Sequence, residues 1–196
     1  AINVSNGTAT AVSSAALTVS YNIINATTYQ VKHVNSNTQG GYTWQLERSF
    51  DAQSNAKNSF LKSLAAWACF TGINWKVGVP TPANQTGRDG INIVRFDTGE
   101  ELPAGVLGVA YTYYTSCGSN KWEITETDLV FDKERTWNFE DALPGPSQSD
   151  FQSVVQHELG HAHSLGHVID NSDLMHYTIA PGTRRTIGQN NRNAGD

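Results

Sequence analysis

The amino-acid sequence predicts an α+β domain with a twisted mixed sheet and two long helices. Runs with strand character recur from residue 17 to residue 131, and two segments repeat apolar residues at helical spacing. The length of 196 residues suffices for one domain with a substantial core. With 38% hydrophobic and 16% charged residues, the composition is typical of a globular protein.

Composition also indicates which classes of binding partner to expect. The net charge of −5 argues against nucleic acid. No run of about 18 apolar residues is present, so no membrane span is expected. Residues 1–5 lack the basic start and apolar centre of a signal peptide. Abundant Asn, Thr, Ser and Gln with few Lys favour an extracellular protein, and we expect a secreted monomer that acts on proteins or peptides.

Six segments have strand character, with β-branched and aromatic residues bounded by turn-forming ones. The first alternates apolar and polar side chains, as a half-buried strand does. Glycines in the fifth, Gly105 and Gly108, would let a second backbone come close. The six segments are residues 17–23, 42–46, 73–79, 91–96, 105–112 and 123–131.

The first long helix is expected to begin near Asp51 or Ser54. Apolar residues from Phe60 to Ala68 follow the helical spacing, and Gly72 suits the C-terminal cap.

The second long helix follows a break at residues 143–146, which hold two prolines and a glycine. Ser149 and Gln152 fit a capping box at its start. Apolar residues from Phe151 to Ala162 give it one face that can pack on a core.

This second helix carries the motif His-Glu-x-x-His at His157, Glu158 and His161. Side chains four residues apart lie about 40° apart around a helix axis, so both imidazoles can reach one metal ion. Glu158 lies about 100° from the first His, which suits contact with a water on the metal better than ligation. In this motif the two His bind zinc and the Glu acts as base.

Other histidines lie close by in the sequence. His167 supplies a third nitrogen if the helix stops and the chain turns back. His163 points roughly 240° from His157 around the helix, so we expect it behind the site or at the surface and not as a ligand. The role of His176 stays open.

This stretch resembles the metzincin clan of zinc endopeptidases. The clan's pattern is His-Glu-x-x-His-x-x-Gly-x-x-His, followed by a turn that contains Met. The positions that match are His157, Glu158, His161 and His167, with Met175, the only Met of the chain, at the Met-turn.

One position departs from the clan's pattern. Ser164 stands where the clan has the Gly at which the helix turns towards the third ligand. Ser can adopt a left-handed conformation there at a cost of about 1 kcal/mol. Gly166 is the alternative place for the turn on the way to His167.

The resemblance upstream is to matrixins. Residues 128–132, with Trp137 five residues on, resemble the matrixin segment before the site helix. Arg135 stands where matrixins carry a calcium-binding carboxylate, which disfavours a structural Ca²⁺ there. Matrixins hold a second, structural zinc through three more His, but only His33 lies outside residues 157–176, so no such zinc is expected.

The resemblance downstream is to astacins. The triplet Met175, His176 and Tyr177 matches astacins, whose tyrosine at that place is a hydroxyl beside the zinc. Astacins have Glu directly after the third His, where this chain has Val168. The family within the clan therefore stays open at this point.

The clan resemblance implies a zincin-like catalytic domain over residues 1–196. It implies an upper subdomain of about residues 1–166, a lower one of about residues 167–196, and an active-site cleft between them. Residues 106–111 resemble the edge strand that matrixins and astacins lay alongside substrate.

The residue types then imply a mechanism. One catalytic Zn²⁺ held by three neutral imidazoles keeps a fourth position for water, whose pKa falls towards about 7. Glu158 takes the proton of this water during attack on a peptide carbonyl and delivers it to the leaving amine. By the astacin likeness, Tyr177 hydrogen-bonds the oxyanion or binds zinc when substrate is absent.

Substrate is expected to pair with Leu107, Gly108 and Val109 by β-augmentation. Its first side chain after the scissile bond is expected in a pocket near His157 and residues 178–181.

The chain has two cysteines, Cys69 and Cys117. In a secreted chain they would form one disulfide, worth about 3–4 kcal/mol. Two separate buried thiols are the alternative.

Three alternatives to a metzincin are considered. A gluzincin needs a later Glu as third ligand, and no Glu follows Glu158, which excludes this class unless an Asp substitutes. A zinc hydrolase of another amide has the same motif. An adhesion module with structural zinc would use a fourth protein ligand, from Tyr177, Asp170 or His163, and would leave Glu158 without a purpose.

Overall fold

A computed structural model describes residues 41–99, 101–116 and 121–195, together with the backbone of three short strands. These strands are β1 (Val4–Ser5), β2 (Thr8–Ala9) and β3 (Gln30–His33). The strand predicted at residues 17–23 and the cysteine Cys117 lie outside the described residues.

The remaining elements confirm the α+β class with two long helices, α2 of 18 residues and α3 of 12. They are β4 (Thr43–Leu46), α1 (Arg48–Ala52), α2 (Ser54–Thr71), β5 (Lys76–Val77), β6 (Asn92–Phe96), β7 (Gly108–Ser116), β8 (Lys121–Phe131), β9 (Trp137–Asn138), β10 (Ser149–Asp150), α3 (Phe151–Ala162) and α4 (Gln189–Gly195).

The main sheet is mixed, with strand order β3-β8-β6-β4-β5 and β7 added antiparallel to β8. The pairs β3–β8, β6–β8, β4–β6 and β4–β5 are parallel. Among the described residues β7 pairs only with β8, so the other edge of β7 is open for a further strand.

The two long helices pack on each other across the core. Helix α2 buries Phe60, Leu64 and Trp67, and it ends at Gly72, whose φ of 70° confirms the predicted left-handed cap. The indole Nε1 of Trp67 donates to the carbonyl oxygen of Gln156 on α3 at 3.0 Å. This buried hydrogen bond sets the position of α3, which carries the histidine motif.

The start of α3 differs from the predicted capping box. The N-cap is Asp150, whose carboxylate accepts from the Ser153 backbone N–H at 3.0 Å. Ser149 instead joins β10 and pairs with Trp137 of β9. A carboxylate at a helix N-terminus interacts favourably with the helix dipole, and Arg184 pairs with this one at 2.6 Å. The charged acceptor therefore takes the place of the serine.

Two sequence expectations concern features away from the site. Cys69 is exposed on α2, and since Cys117 is not described, the disulfide stays a prediction. Within the described part of the chain, no helix combines the length and apolar character that crossing a membrane requires.

Candidate active site

The site helix ends in a Schellman motif that turns the chain back on itself. The Ser164 N–H donates to His161 O at 2.8 Å, and the Leu165 N–H donates to Gly160 O at 3.0 Å. Ser164 has a φ of 63° and is the one non-Gly residue with positive φ in the described part of the chain. The turn towards His167 is thus made at Ser164 and not at Gly166.

The turn brings three imidazoles to one point. The Nε2 atoms are 3.0 Å apart between His157 and His161, and 3.1 Å from each of these to His167. Tetrahedral zinc with Zn–N bonds of 2.0–2.1 Å requires nitrogens about 3.3 Å apart. The three nitrogens therefore fit one zinc ion with a small outward shift.

Hydrogen bonds at the other ring nitrogen set the tautomers of two of these rings. The Nδ1 atoms of His157 and His161 lie 2.8 and 2.7 Å from the carbonyl oxygens of Leu174 and Leu165. A carbonyl oxygen can only accept, so Nδ1 carries the proton and Nε2 keeps its lone pair. A metal-binding histidine usually donates its other ring N–H to a carbonyl or carboxylate oxygen in this way.

Burial keeps these imidazoles neutral. It lowers the pKa of His157 to about 3 and the pKa of His161 to about 4. The pKa of the exposed His167 is also lowered, first by desolvation and then by the nearby His176. At neutral pH all three nitrogens are free to bind a metal.

Glu158 is buried beside the histidines, with 5% of its surface exposed. Burial raises the pKa of its carboxyl group to about 8, against the opposing effect of a hydrogen bond from the Ala110 backbone N–H. A cation in the site would favour the ionised form and lower this pKa. With a cation bound, the carboxylate form that a general base requires is therefore favoured.

A glycine on β7 allows this close contact between strand and helix. A Cβ at Gly108 would lie 3.1 Å from Val154 Cγ1 and 3.2 Å from Glu158 Cγ. The sequence predicted that a second backbone comes close at this glycine, but its close neighbours are side chains, of which the nearest is Phe131 Cδ1 on β8 at 3.0 Å. Gly108 therefore lets β7 lie directly against the carboxylate.

The Met-turn supports the histidines from below. Met175 is fully buried, and a Cβ at Gly160 on α3 would overlap its sulfur and lie 3.0 Å from its Cε. The Val168 N–H donates to Met175 O at 3.0 Å, and Leu174 supplies the carbonyl that orients His157. The turn thus fixes the orientation of a histidine whose ring faces the cleft.

The site opens into a cleft of about 780 Å³ that runs along β7. The three residues predicted to pair with substrate, Leu107, Gly108 and Val109, all line it. Tyr177 also lines the cleft, is 64% exposed, and places its ring 6.5 Å from that of His167.

Two further histidines have different surroundings. His163 is buried, with its ring centroid 4.8 Å from Trp67 and 4.5 Å from Trp75, so of the two expected positions, behind the site or at the surface, the surface one is wrong. It is not a member of the group of three histidines that could share a metal, because its ring packs in the core. His176 is buried at the cleft wall, where the Thr178 N–H donates to its Nδ1 at 3.2 Å.

Two residues of the site have no signal in the sequence. Ala110 acts through its backbone N–H, which any residue except proline would supply. Arg185 lines the cleft because the chain after the Met-turn returns to the start of α3. Both contacts depend on tertiary structure, which local sequence patterns do not encode.

Comparison with known proteins identifies the family. Residues 18–194 match the family model described as matrixin. The chain belongs to the matrixin family. This confirms the metzincin resemblance and decides the family that the sequence motifs left open, so the Met-His-Tyr triplet is a local likeness to astacins. The predicted class of enzyme, a metallopeptidase, is the class to which matrixins belong.

A curated relative supports the same family. Metalloendoproteinase 1-MMP of Arabidopsis thaliana is 34% identical over 93 residues, which make up 45% of this matrixin and 23% of the plant protein. The match therefore spans less than a quarter of the length of that relative.

Proposed function

We propose that this matrixin is a zinc-dependent endopeptidase that hydrolyses peptide bonds in protein or peptide substrates. The observation that carries the proposal is the convergence of three Nε2 atoms within 3.0–3.1 Å of one another, beside a buried carboxyl group in an open cleft. The residues that would hold the zinc are His157, His161 and His167.

The ligand set favours catalysis over a structural role. Among the His, Cys, Asp and Glu side chains in the described part of the chain, the group that could share a metal has three members and no fourth. Structural zinc sites close with four protein ligands, whereas catalytic sites keep one position open. His163, one candidate for a fourth ligand, packs between two tryptophans instead.

Glu158 has the position of a general base, since it is buried beside the histidines and lines the cleft. Zinc in such a site supplies Lewis acidity, which lowers the pKa of water and stabilises negative charge on oxygen. Glu158 takes a proton from the attacking water and delivers it to the leaving amine. The Ala110 N–H holds one side of the carboxylate, so the group stays aimed along the wall of the cleft.

The edge of β7 that pairs with no other strand in the described residues suits an extended substrate. A substrate strand pairs with Leu107, Gly108 and Val109 by main-chain hydrogen bonds, as in β-augmentation. Tyr177 lies across the cleft and has its ring exposed, which leaves its hydroxyl free to move towards the oxyanion.

We further propose that residues 1–196 form one catalytic domain of a secreted monomer, with an upper part of about residues 1–166 and a lower part of about residues 167–196. The lower part returns to the upper one, since Arg192 of α4 lies 3.6 Å over the ring of Phe70 on α2.

Metal removal and a single substitution test this function. Activity on an unfolded protein substrate should disappear with a chelator and return with zinc. Glu158→Ala should retain zinc and lose about 10³-fold in kcat/KM, because proton transfer loses its base. A zinc-loaded Glu158→Ala that cuts as fast as wild type would show that Glu158 has been misassigned.

A further inference from the structure

We propose that Arg185 selects substrates with an acidic side chain directly after the scissile bond. This inference rests on the proposed endopeptidase function, and it assigns a chemical class to the pocket beside His157. The cleft lining includes Val154, His157, Leu174, Thr178, Ile179 and Arg185.

Backbone and side-chain contacts hold Arg185 in the pocket wall. Its N–H donates to Ser153 Oγ at 2.7 Å, one helical turn before His157. Its guanidinium donates from Nη1 to Thr178 O at 2.6 Å. The charge therefore sits between the start of α3 and the segment after the Met-turn.

The guanidinium lacks a carboxylate partner within the described part of the chain. Asp170 and Asp173 are its acidic neighbours, but neither forms an ion pair with it there. Asp173 Oδ1 accepts from Met175 N and Asn191 Nδ2, at 2.8 and 2.9 Å.

Asp170 is likewise engaged elsewhere, since its Oδ1 accepts from the backbone N–H and the hydroxyl of Ser172, at 2.9 and 2.7 Å. On Arg185 itself, Nε is buried without a partner among the described residues. A partly buried cation of this kind is incompletely compensated, so an arriving carboxylate gains a strong interaction.

The chemistry of the pocket matches a glutamate better than a glutamine. Guanidinium binds carboxylate by parallel, charge-assisted hydrogen bonds, which an amide cannot reproduce. The pocket walls from Val154, Leu174 and Ile179 are apolar and suit the methylene stem of the side chain. The preferred residue thus presents a carboxylate on a short aliphatic stem.

Two peptides test the proposal. They share one sequence and differ only in Glu or Gln at the position after the scissile bond. With the zinc-loaded wild type, kcat/KM should favour Glu by about tenfold. One enzyme preparation cuts both peptides, so any inactive fraction cancels from the ratio of the two kcat/KM values. This ratio can therefore be measured even for a variant that folds less well.

Variants of Arg185 assign the preference. Arg185→Gln should bring the Glu/Gln ratio close to one, and Arg185→Lys should keep it above one but below the wild-type value. Arg48→Gln is the matched control, since Arg48 is exposed on α1 outside the cleft, and it should keep the wild-type ratio. A wild type without preference for Glu, or an unchanged ratio in Arg185→Gln, would overturn the proposal.

A second pair of peptides distinguishes the source of the carboxylate. These end at the residue after the scissile bond, as a free acid or as an amide. If Arg185 instead binds the end of a chain, the free acid will be preferred by more than the Glu/Gln ratio, and this outcome also overturns the proposal. If neither Glu nor Gln peptide is cut by zinc-loaded protein, the endopeptidase function itself fails.

Discussion

On the cleft side of α3, His157 and His161 direct their Nε2 atoms to a common centre, whereas His163 at the end of the same helix packs between Trp67 and Trp75. The first two orient their rings through carbonyl oxygens and face open space. The third fills a gap in the core. Residue type alone therefore does not make a ligand, and the face of the helix decides the role.

The largest effect is expected on the cleft side. His161→Ala removes one of three nitrogens from the metal site, so kcat/KM should fall by more than about 10³-fold and the zinc content should fall with it. Zinc analysis and peptide cleavage measure both. A variant with stoichiometric zinc and activity within tenfold of wild type would remove His161 from the site.

A substitution on the core side of the helix should lower the stability of the fold and leave the metal site intact. His163→Ala leaves a cavity between two tryptophans, and the free energy of unfolding should fall by about 2–3 kcal/mol. Chemical denaturation measures this loss, and the folded variant should still bind zinc and cut peptides. Unchanged stability with lost zinc would place His163 in the site.

In the metal-free protein, burial of the Glu158 carboxyl group is expected to lower the free energy of unfolding as the pH rises. Its folded pKa of about 8 lies above the ordinary value of 4.5, so the folded state keeps a proton that the unfolded chain releases as the pH rises through this window. The penalty is therefore absent at pH 4 and largest above pH 8. Glu158→Gln, which does not titrate, should be more stable than wild type by about 2 kcal/mol at pH 8 and by less at pH 5.

Chemical denaturation of the metal-free wild type and Glu158→Gln at pH 5 and pH 8 measures this difference in the free energy of unfolding. Both proteins contain the same histidines, so the contribution of histidine titration cancels. Glu134→Gln is the control, because Glu134 is exposed, and it should show little change. An equal gain at pH 5 and pH 8 would contradict the buried, protonated state of Glu158.

A smaller change in the free energy of unfolding is expected at the contact between α3 and the Met-turn. Gly160→Ala places a methyl group against Met175 and should lower the free energy of unfolding by about 1–2 kcal/mol. Gly87→Ala is the matched control, since a Cβ there meets nothing within 4 Å. Equal stability of the two variants would show that the Met-turn adjusts freely.

The smallest effect is expected at the left-handed turn. Ser164→Gly relieves the strain of a positive φ but raises the conformational entropy of the unfolded chain. We therefore expect the free energy of unfolding to rise by about 0.5 kcal/mol. Ser164→Ala keeps the strain and loses the hydroxyl, and should be less stable than Ser164→Gly. Thermal unfolding compares the two, and the reverse order would contradict the conformation at this position.

Elements with strong periodicity could be predicted from the sequence. Helix α2 begins at Ser54 and is capped by Gly72, as its spacing and cap residue indicate. The motif on α3 needed only helical geometry, since His157 and His161 lie one turn apart. In both helices the signal is local, so no tertiary information was needed.

Other features depend on contacts between distant segments. Strand β7 was expected at residues 105–112 but spans Gly108–Ser116. Its start is delayed because Val106 N–H bonds back to Pro103 O, with Gly105 at a φ of 85°. Its end is extended by pairing with β8, and no local pattern encodes the length of a partner strand.

Zinc-edge X-ray absorption, combined with metal analysis of wild type and His167→Ala, tests the central claim most directly. We expect one zinc per chain, with three imidazole nitrogens at about 2.0–2.1 Å and one fewer nitrogen in the variant. Protein without stoichiometric zinc, or the same coordination in His167→Ala, would contradict it.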